Sequence, residues 1–163
     1  MKNNKGFSLV ELVVVVLIMA IVAVALAPQV VKWVENSRIA SDMQTKADIE
    51  NACKLAMADT EAFEMVEEGG YEIDLTKGPT GNTVVECIPR GGAVSDADVN
   101  ADPFFSKFFE AGKFGDYSEF KDSIKIKCNP TNGSDVRMRI YVYEGGHTFS
   151  ELSGFSSDVF ENS

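Results

Sequence analysis

From Phe7 to Val31 the chain carries one ionisable side chain, Glu11, and from Leu12 to Ala27 every residue is apolar. As a helix, these 25 residues extend about 37 Å, enough to cross a hydrocarbon core of about 30 Å. A run of this kind needs a bilayer or an apolar assembly around it. Lys2 and Lys5 precede it, so the positive-inside rule places the N-terminus in the cytoplasm and the bulk of the chain on the far side of the membrane. Three segments follow: a short basic stretch at 1–6, an apolar helix at 7–31 and a headpiece at 32–163.

Two common readings of the run leave something unexplained. A secretory signal peptide has a shorter apolar core and ends at a small-residue cleavage site. Ala25 and Ala27 have the A-x-A spacing, but Pro28 follows at once and the helical pattern continues beyond it. A plain membrane anchor does not explain Glu11, since a carboxylate inside a span costs about 2.5–3.5 kcal/mol on insertion scales. The bland account of Glu11 is a side chain snorkelling to the cytoplasmic interface.

Lys5-Gly6, then Phe7-Ser8-Leu9-Val10-Glu11 and an apolar run, resembles the class III signal of type IV pilins and their relatives, the pseudopilins of type II secretion and DNA-uptake machines. The resemblance covers roughly residues 1–31, and Pro28 stands where such chains commonly have a proline. It implies cleavage between Gly6 and Phe7 by a prepilin peptidase, N-methylation of Phe7, and passage from the cytoplasmic membrane into an extracellular helical filament. The implied partners are copies of the same chain, the peptidase, an inner-membrane platform protein and an assembly ATPase. Adhesion or motility would be the filament's role, with a pseudopilin as the alternative and a membrane-tethered binding module as a more distant one. Neither a cofactor nor enzymatic activity is implied. In such a bundle the α-amine of a neighbouring subunit, created at Phe7 only by cleavage, can pair with Glu11, so the pair would set subunit register. Pro28, which lacks an N–H, would kink or open the helix.

The helical pattern continues past the membrane. Residues 32–68 contain neither proline nor glycine and are rich in good helix formers. Ile49, Ala52, Cys53, Ala56 and Phe63 fall on one stripe, and Gly69-Gly70 follow as a cap. One unbroken helix over 8–67, about 90 Å long, is the expectation. Trp33 is expected to anchor at the interface. Beyond Gly70 the period becomes two: Tyr71, Ile73 and Leu75 alternate, 83–88 reads as a strand, and so do 123–128 and 136–143, joined by a turn with Asn132-Gly133. A short helix over Pro103–Ala111 is expected, with Asp102 as N-cap and Gly112 after its end. The fold class is therefore α+β, a long helix packed on an antiparallel sheet, which is also the architecture of pilins.

Residues 1–31 carry Lys2, Lys5 and Glu11, a net +1, and residues 32–163 carry −11, which gives the chain its net −10. An acidic headpiece repels nucleic acid, and none is expected as a partner. Of three cysteines, Cys87 and Cys128 lie on inward strand faces and are expected to pair, with Cys53 a buried thiol; pairings of Cys53 with Cys87 or Cys128 stay open. Members of the resembled family usually place a disulfide nearer the C-terminus, where this chain has no cysteine. One histidine, His147, and no CxxC pair argue against a zinc site, and His147 has no nucleophilic partner to suggest a hydrolase.

Asp96, Asp98, Asn100 and Asp102 have the spacing of a calcium loop, but Ala101 and Lys107 replace the glycine and glutamate such a loop needs, so no metal is assigned. Phe104, Phe105, Phe108 and Phe109 read as core. Tyr141 and Tyr143 face outward beside Arg137 and Arg139, placed either to stack on a surface ligand or to pack across strands.

Overall fold

The structure, a computed structural model, describes residues 8–89, 95–130 and 133–155. By compactness the chain divides between residues 37 and 38. Helix α1 spans Leu9–Ala56 and passes through Pro28 without interruption. The proline therefore does not open the helix, although its missing N–H leaves the Val24 carbonyl without its helical donor.

The helix stops eleven residues short of the expected end at 67. Met57 and Ala58 turn, and a second helix, α2, runs over Thr60–Gly69. The cause is Asp59, whose carboxylate accepts from the Glu61 and Ala62 amides and caps α2, with Glu61 in its first turn. An N-cap aspartate lowers the cost of restarting a helix by about 1 kcal/mol, which favours two segments here. Gly70 closes α2 at φ 70°, a left-handed value that suits glycine.

Strands β1 (Tyr71–Lys77), β2 (Thr83–Pro89), β3 (Val136–Tyr143) and β4 (His147–Ser153) form one antiparallel sheet in the order β2-β1-β3-β4. Three short helices lie between β2 and β3: α3 (Asp96–Ala101), α4 (Pro103–Gly112) and α5 (Tyr117–Ser123). Asp102 caps α4 and Pro103 opens it as expected, but the helix includes Gly112 and ends on Lys113 in the left-handed region.

Two expectations for the sheet need correction. Residues 123–128 are not a strand: α5 ends at Ser123 and 124–127 run extended without a ladder. Their alternation is real, with Ile126 and Cys128 buried and Lys125 and Lys127 exposed. However, the Ile126 amide donates to Thr83 Oγ1, and those of Lys127 and Cys128 donate to Asp42. Side chains thus supply the acceptors that a neighbouring strand would have offered. The fourth strand is instead β4, reached from β3 through the turn Glu144–Gly146, with Gly145 at φ 75°. The expected hairpin between 123–128 and 136–143 does not form, and Asn132 lies outside the described residues.

The core of the 38–163 unit is one cluster. Ile39, Ile49, Ala52, Cys53 and Ala56 of α1 meet the inward residues Ile73, Leu75, Val136, Met138, Ile140 and Val142. Phe104, Phe105 and Phe108 are fully buried; Phe104 stacks on Tyr71, and the contacts Phe104–Phe105, Phe105–Phe108 and Phe108–Phe120 are edge to face. The phenylalanine patch is core, as expected.

Candidate functional site

At the start of α1, Ser8 occupies the N-cap position, since the Leu12 amide donates to its carbonyl at 3.2 Å. Glu11 is then the third residue of the first turn. Its Oε2 accepts from the Ser8 amide at 2.9 Å, which is the carboxylate arm of a capping box. Ser8-x-x-Glu11 ahead of an apolar run is the sequence signature of that arrangement, and sequence reasoning had passed over it. The negative charge also faces the positive end of the helix dipole. Gly6 and Phe7 lie outside the described residues.

From Leu12 to Ala27 the helix offers nothing but hydrocarbon. Every residue from Leu9 to Val34 is exposed, and the most apolar 18-residue window has a mean hydropathy of 3.2 with none of it buried. Trp33 is exposed with the rest. Covering any one of these leucine, isoleucine or valine side chains is worth about 1.5–3 kcal/mol, so the segment as a whole cannot remain in water. A surface like this, with one capped carboxylate at its end, is built for lipid or for other apolar helices.

Residues 1–27 match the family model of the prokaryotic N-terminal methylation motif. This is the class III signal of type IV pilins and pseudopilins. Such a signal implies processing by a prepilin peptidase and entry into pilus-like machinery, and the apolar helix behind it is consistent with membrane anchoring before assembly. No curated protein and no solved structure matches the chain. The α+β headpiece, with its helix on an antiparallel sheet, has the pilin-like architecture that accompanies the motif.

The remaining candidates resolve into structural roles. The oxygens spaced like a calcium loop do not converge: Asp96 contacts Lys121, Asp98 forms a capping box with Ser95, Asn100 accepts from the Tyr117 amide, and Asp102 caps α4 and accepts from the Tyr71 hydroxyl. That capping box also holds the Asp98 carboxyl below its ordinary range. His147 is exposed at the start of β4, opposite Tyr143.

Cys53, Cys87 and Cys128 are buried and not disulfide-bonded, so the expected Cys87–Cys128 bridge is not formed in this structure. Burial is the main force raising the Cys53 and Cys87 pKa values, with Glu50 adding to the first and Cys53 to the second. Tyr117, pushed up to about 12 chiefly by burial, seals the edge strand: its hydroxyl donates to the Val85 carbonyl and accepts from the Cys87 amide.

One residue that sequence reasoning missed holds the headpiece together. Asp42, on the buried side of α1, has its carboxylate against the extended segment. Lys127 N–H donates to both its oxygens at 2.9 and 3.0 Å, and Cys128 N–H donates at 2.7 Å. From the other side the buried Lys77 ammonium donates to the Lys127 and Cys128 carbonyls at 3.3 and 2.7 Å. The segment is thus clamped between an acid on α1 and a base at the end of β1.

Proposed function

We propose that this chain is the structural subunit of an extracellular type IV pilus, cut between Gly6 and Phe7 and N-methylated at Phe7 before assembly. The observation that carries the reading is an uncovered apolar helix with one capped carboxylate in its first turn, inside a matched methylation motif. The sequence of events follows from the chemistry. In the bilayer the lipid covers Leu9–Val31, the N-terminus faces the cytoplasm, and the Ser8 amide partly satisfies Glu11. Cleavage then removes Lys2 and Lys5 with the leader and creates an α-amine at Phe7, which becomes the opposite charge at the apolar end of the chain that can neutralise the carboxylate.

In the filament the apolar helices cover one another, and Glu11 of one subunit pairs with the Phe7 amine of a neighbour. A subunit out of register buries both charges unpaired, at a cost of several kcal/mol, so the pair selects the register. The partners in this scheme are copies of the chain, the prepilin peptidase, an inner-membrane platform protein and the assembly ATPase. The protein is a building block and not an enzyme, and the filament serves adhesion or motility.

The test is Glu11→Ala expressed in the host, with the sheared surface fraction and the membrane fraction probed separately. The wild type is expected as long surface filaments. The variant is expected to be cut normally but to accumulate in the membrane. Wild-type protein that is cut yet confined to the cell envelope would replace the pilus by a pseudopilus, and normal filaments from the variant would remove the register role.

A further inference from the structure

The outward face of the sheet carries an aromatic shelf that neither the core nor the first-turn site uses. By register, one row across this face reads Ile88, Glu72, Tyr141, Phe149, and the next reads Glu86, Asp74, Arg139, Glu151. Tyr143 stands opposite His147, past the beginning of β1 at Tyr71. The three rings lie nearly parallel: Tyr141 and Tyr143 have centroids 6.0 Å apart and planes at 19°, and Tyr141 and Phe149 are 6.2 Å apart at 28°. Tyr143 and Phe149 are open to solvent, 40% and 56% exposed, and Tyr141 between them is half-buried. By contrast, Phe104, Phe105, Phe108 and Phe120 are fully buried.

Beside the tyrosines a hollow of about 260 Å³ opens over the start of β1, lined by Tyr71, Glu72, Ile88, Tyr141, Val142 and Tyr143. Arg139 borders the shelf, its Nη1 3.3 Å from both the Tyr141 hydroxyl and Glu151, and its Nε 3.4 Å from Asp74. Its charge is therefore answered twice, and with Glu72 and Glu86 on the same face the surroundings are net negative.

We propose that this shelf and hollow bind a neutral pyranose. A sugar ring has one face of C–H groups and a rim of hydroxyls that both donate and accept. The C–H face matches the electron-rich faces of near-parallel aromatic rings. The hydroxyl rim matches the Glu72 carboxylate and the tyrosine hydroxyls around the hollow. The negative surroundings turn away acidic sugars and nucleic acid. Rings in line along β3 and across to β4 give room for two adjoining sugar units. The proposal does not rest on processing at Phe7, and the uncut chain is expected to bind equally.

The experiment is saturation-transfer difference NMR on the full-length chain in a detergent without a sugar headgroup. The probes are maltotriose, cellotriose and tri-N-acetylchitotriose, with 3′-sialyllactose as the acidic control. At least one neutral trisaccharide is expected to show transfer centred on its ring C–H protons. Tyr141→Ala should weaken it at least tenfold, and 3′-sialyllactose should show none. Tyr143→Ala/Phe149→Ala, which removes only exposed rings and should keep the wild-type melting temperature, should weaken it similarly. Absence of transfer to all three neutral sugars overturns the proposal, as does transfer unchanged in the double variant or seen only with the acidic sugar. A double variant altered only in its self-association, by sedimentation, would overturn it in favour of a subunit contact.

Discussion

Asp42→Ala should be the most damaging single change in the headpiece outside its hydrocarbon core. The side chain is fully buried and accepts from the Lys127 and Cys128 amides. Truncation leaves both donors without an acceptor, each costing about 1–3 kcal/mol. The Lys77 ammonium keeps its bonds to the Lys127 and Cys128 carbonyls on the other side and cannot replace the lost acceptor. The loss from the two amides together is therefore about 2–6 kcal/mol. For a unit of this size that corresponds to a fall in melting temperature of roughly 10 °C or more.

Asp42→Asn keeps one oxygen for the amides and loses the charge, so a smaller loss of about 1–2 kcal/mol is expected. Tyrosine near-UV circular dichroism of the full-length chain in detergent would follow the melt, because the only tryptophan, Trp33, lies outside the 38–163 unit. Hydrogen exchange at the Lys127 and Cys128 amides would report the clamp locally and should accelerate in both variants. A melting temperature within a few degrees of wild type for Asp42→Ala, with those two amides still protected, would refute the reasoning.

Three further outcomes follow from other parts of the molecule. In native protein Cys53, Cys87 and Cys128 should resist iodoacetamide at pH 8, because they are buried and burial raises the pKa values of Cys53 and Cys87. In denaturant without reductant all three should take one label each, read by intact mass, and a chain taking only one would mean that two are bridged. Asp59 is held below its ordinary 3.8, first by the Ala62 amide and then by Lys107. Its contribution to α2 is therefore complete above 3.8 and is lost as pH falls through the lower folded value, so exchange of the α2 amides should quicken below that pH; the same acid response in Asp59→Asn would contradict this. Phe149→Ala should leave the stability to unfolding within about 0.5 kcal/mol of wild type, as an exposed position does, whereas Phe108→Ala should cost about 3–5 kcal/mol.

What could be read from the sequence depended on whether the controlling interaction was local. The apolar run, the strands at 71–77, 83–89 and 136–143, and the cap and first turn of α4 were legible because period and capping residues act within a few positions. The break at Met57–Asp59 was readable in principle: Asp59 followed by Glu61 is an N-cap pattern, but a long run of good helix formers outweighed it.

Residues 124–128 misled because alternation reports which side chains face inward and says nothing of what accepts the backbone hydrogens. The acceptors here, Asp42 and Thr83, stand 85 and 43 residues away from the amides they receive. β4 was missed because only Leu152 and Phe149 are large and apolar in it, and its place follows from the turn at Glu144–Gly146. For the site, Glu11 was conspicuous from its surroundings, while its partner Ser8 needed the capping-box pattern to be applied to a membrane helix.

The central claim is that cleavage at Gly6-Phe7 creates the partner of Glu11. It is tested most directly by the intact mass and N-terminal sequence of this protein recovered from its host. The account predicts a chain beginning at N-methylated Phe7, and a chain still beginning at Met1 in assembled material would contradict it.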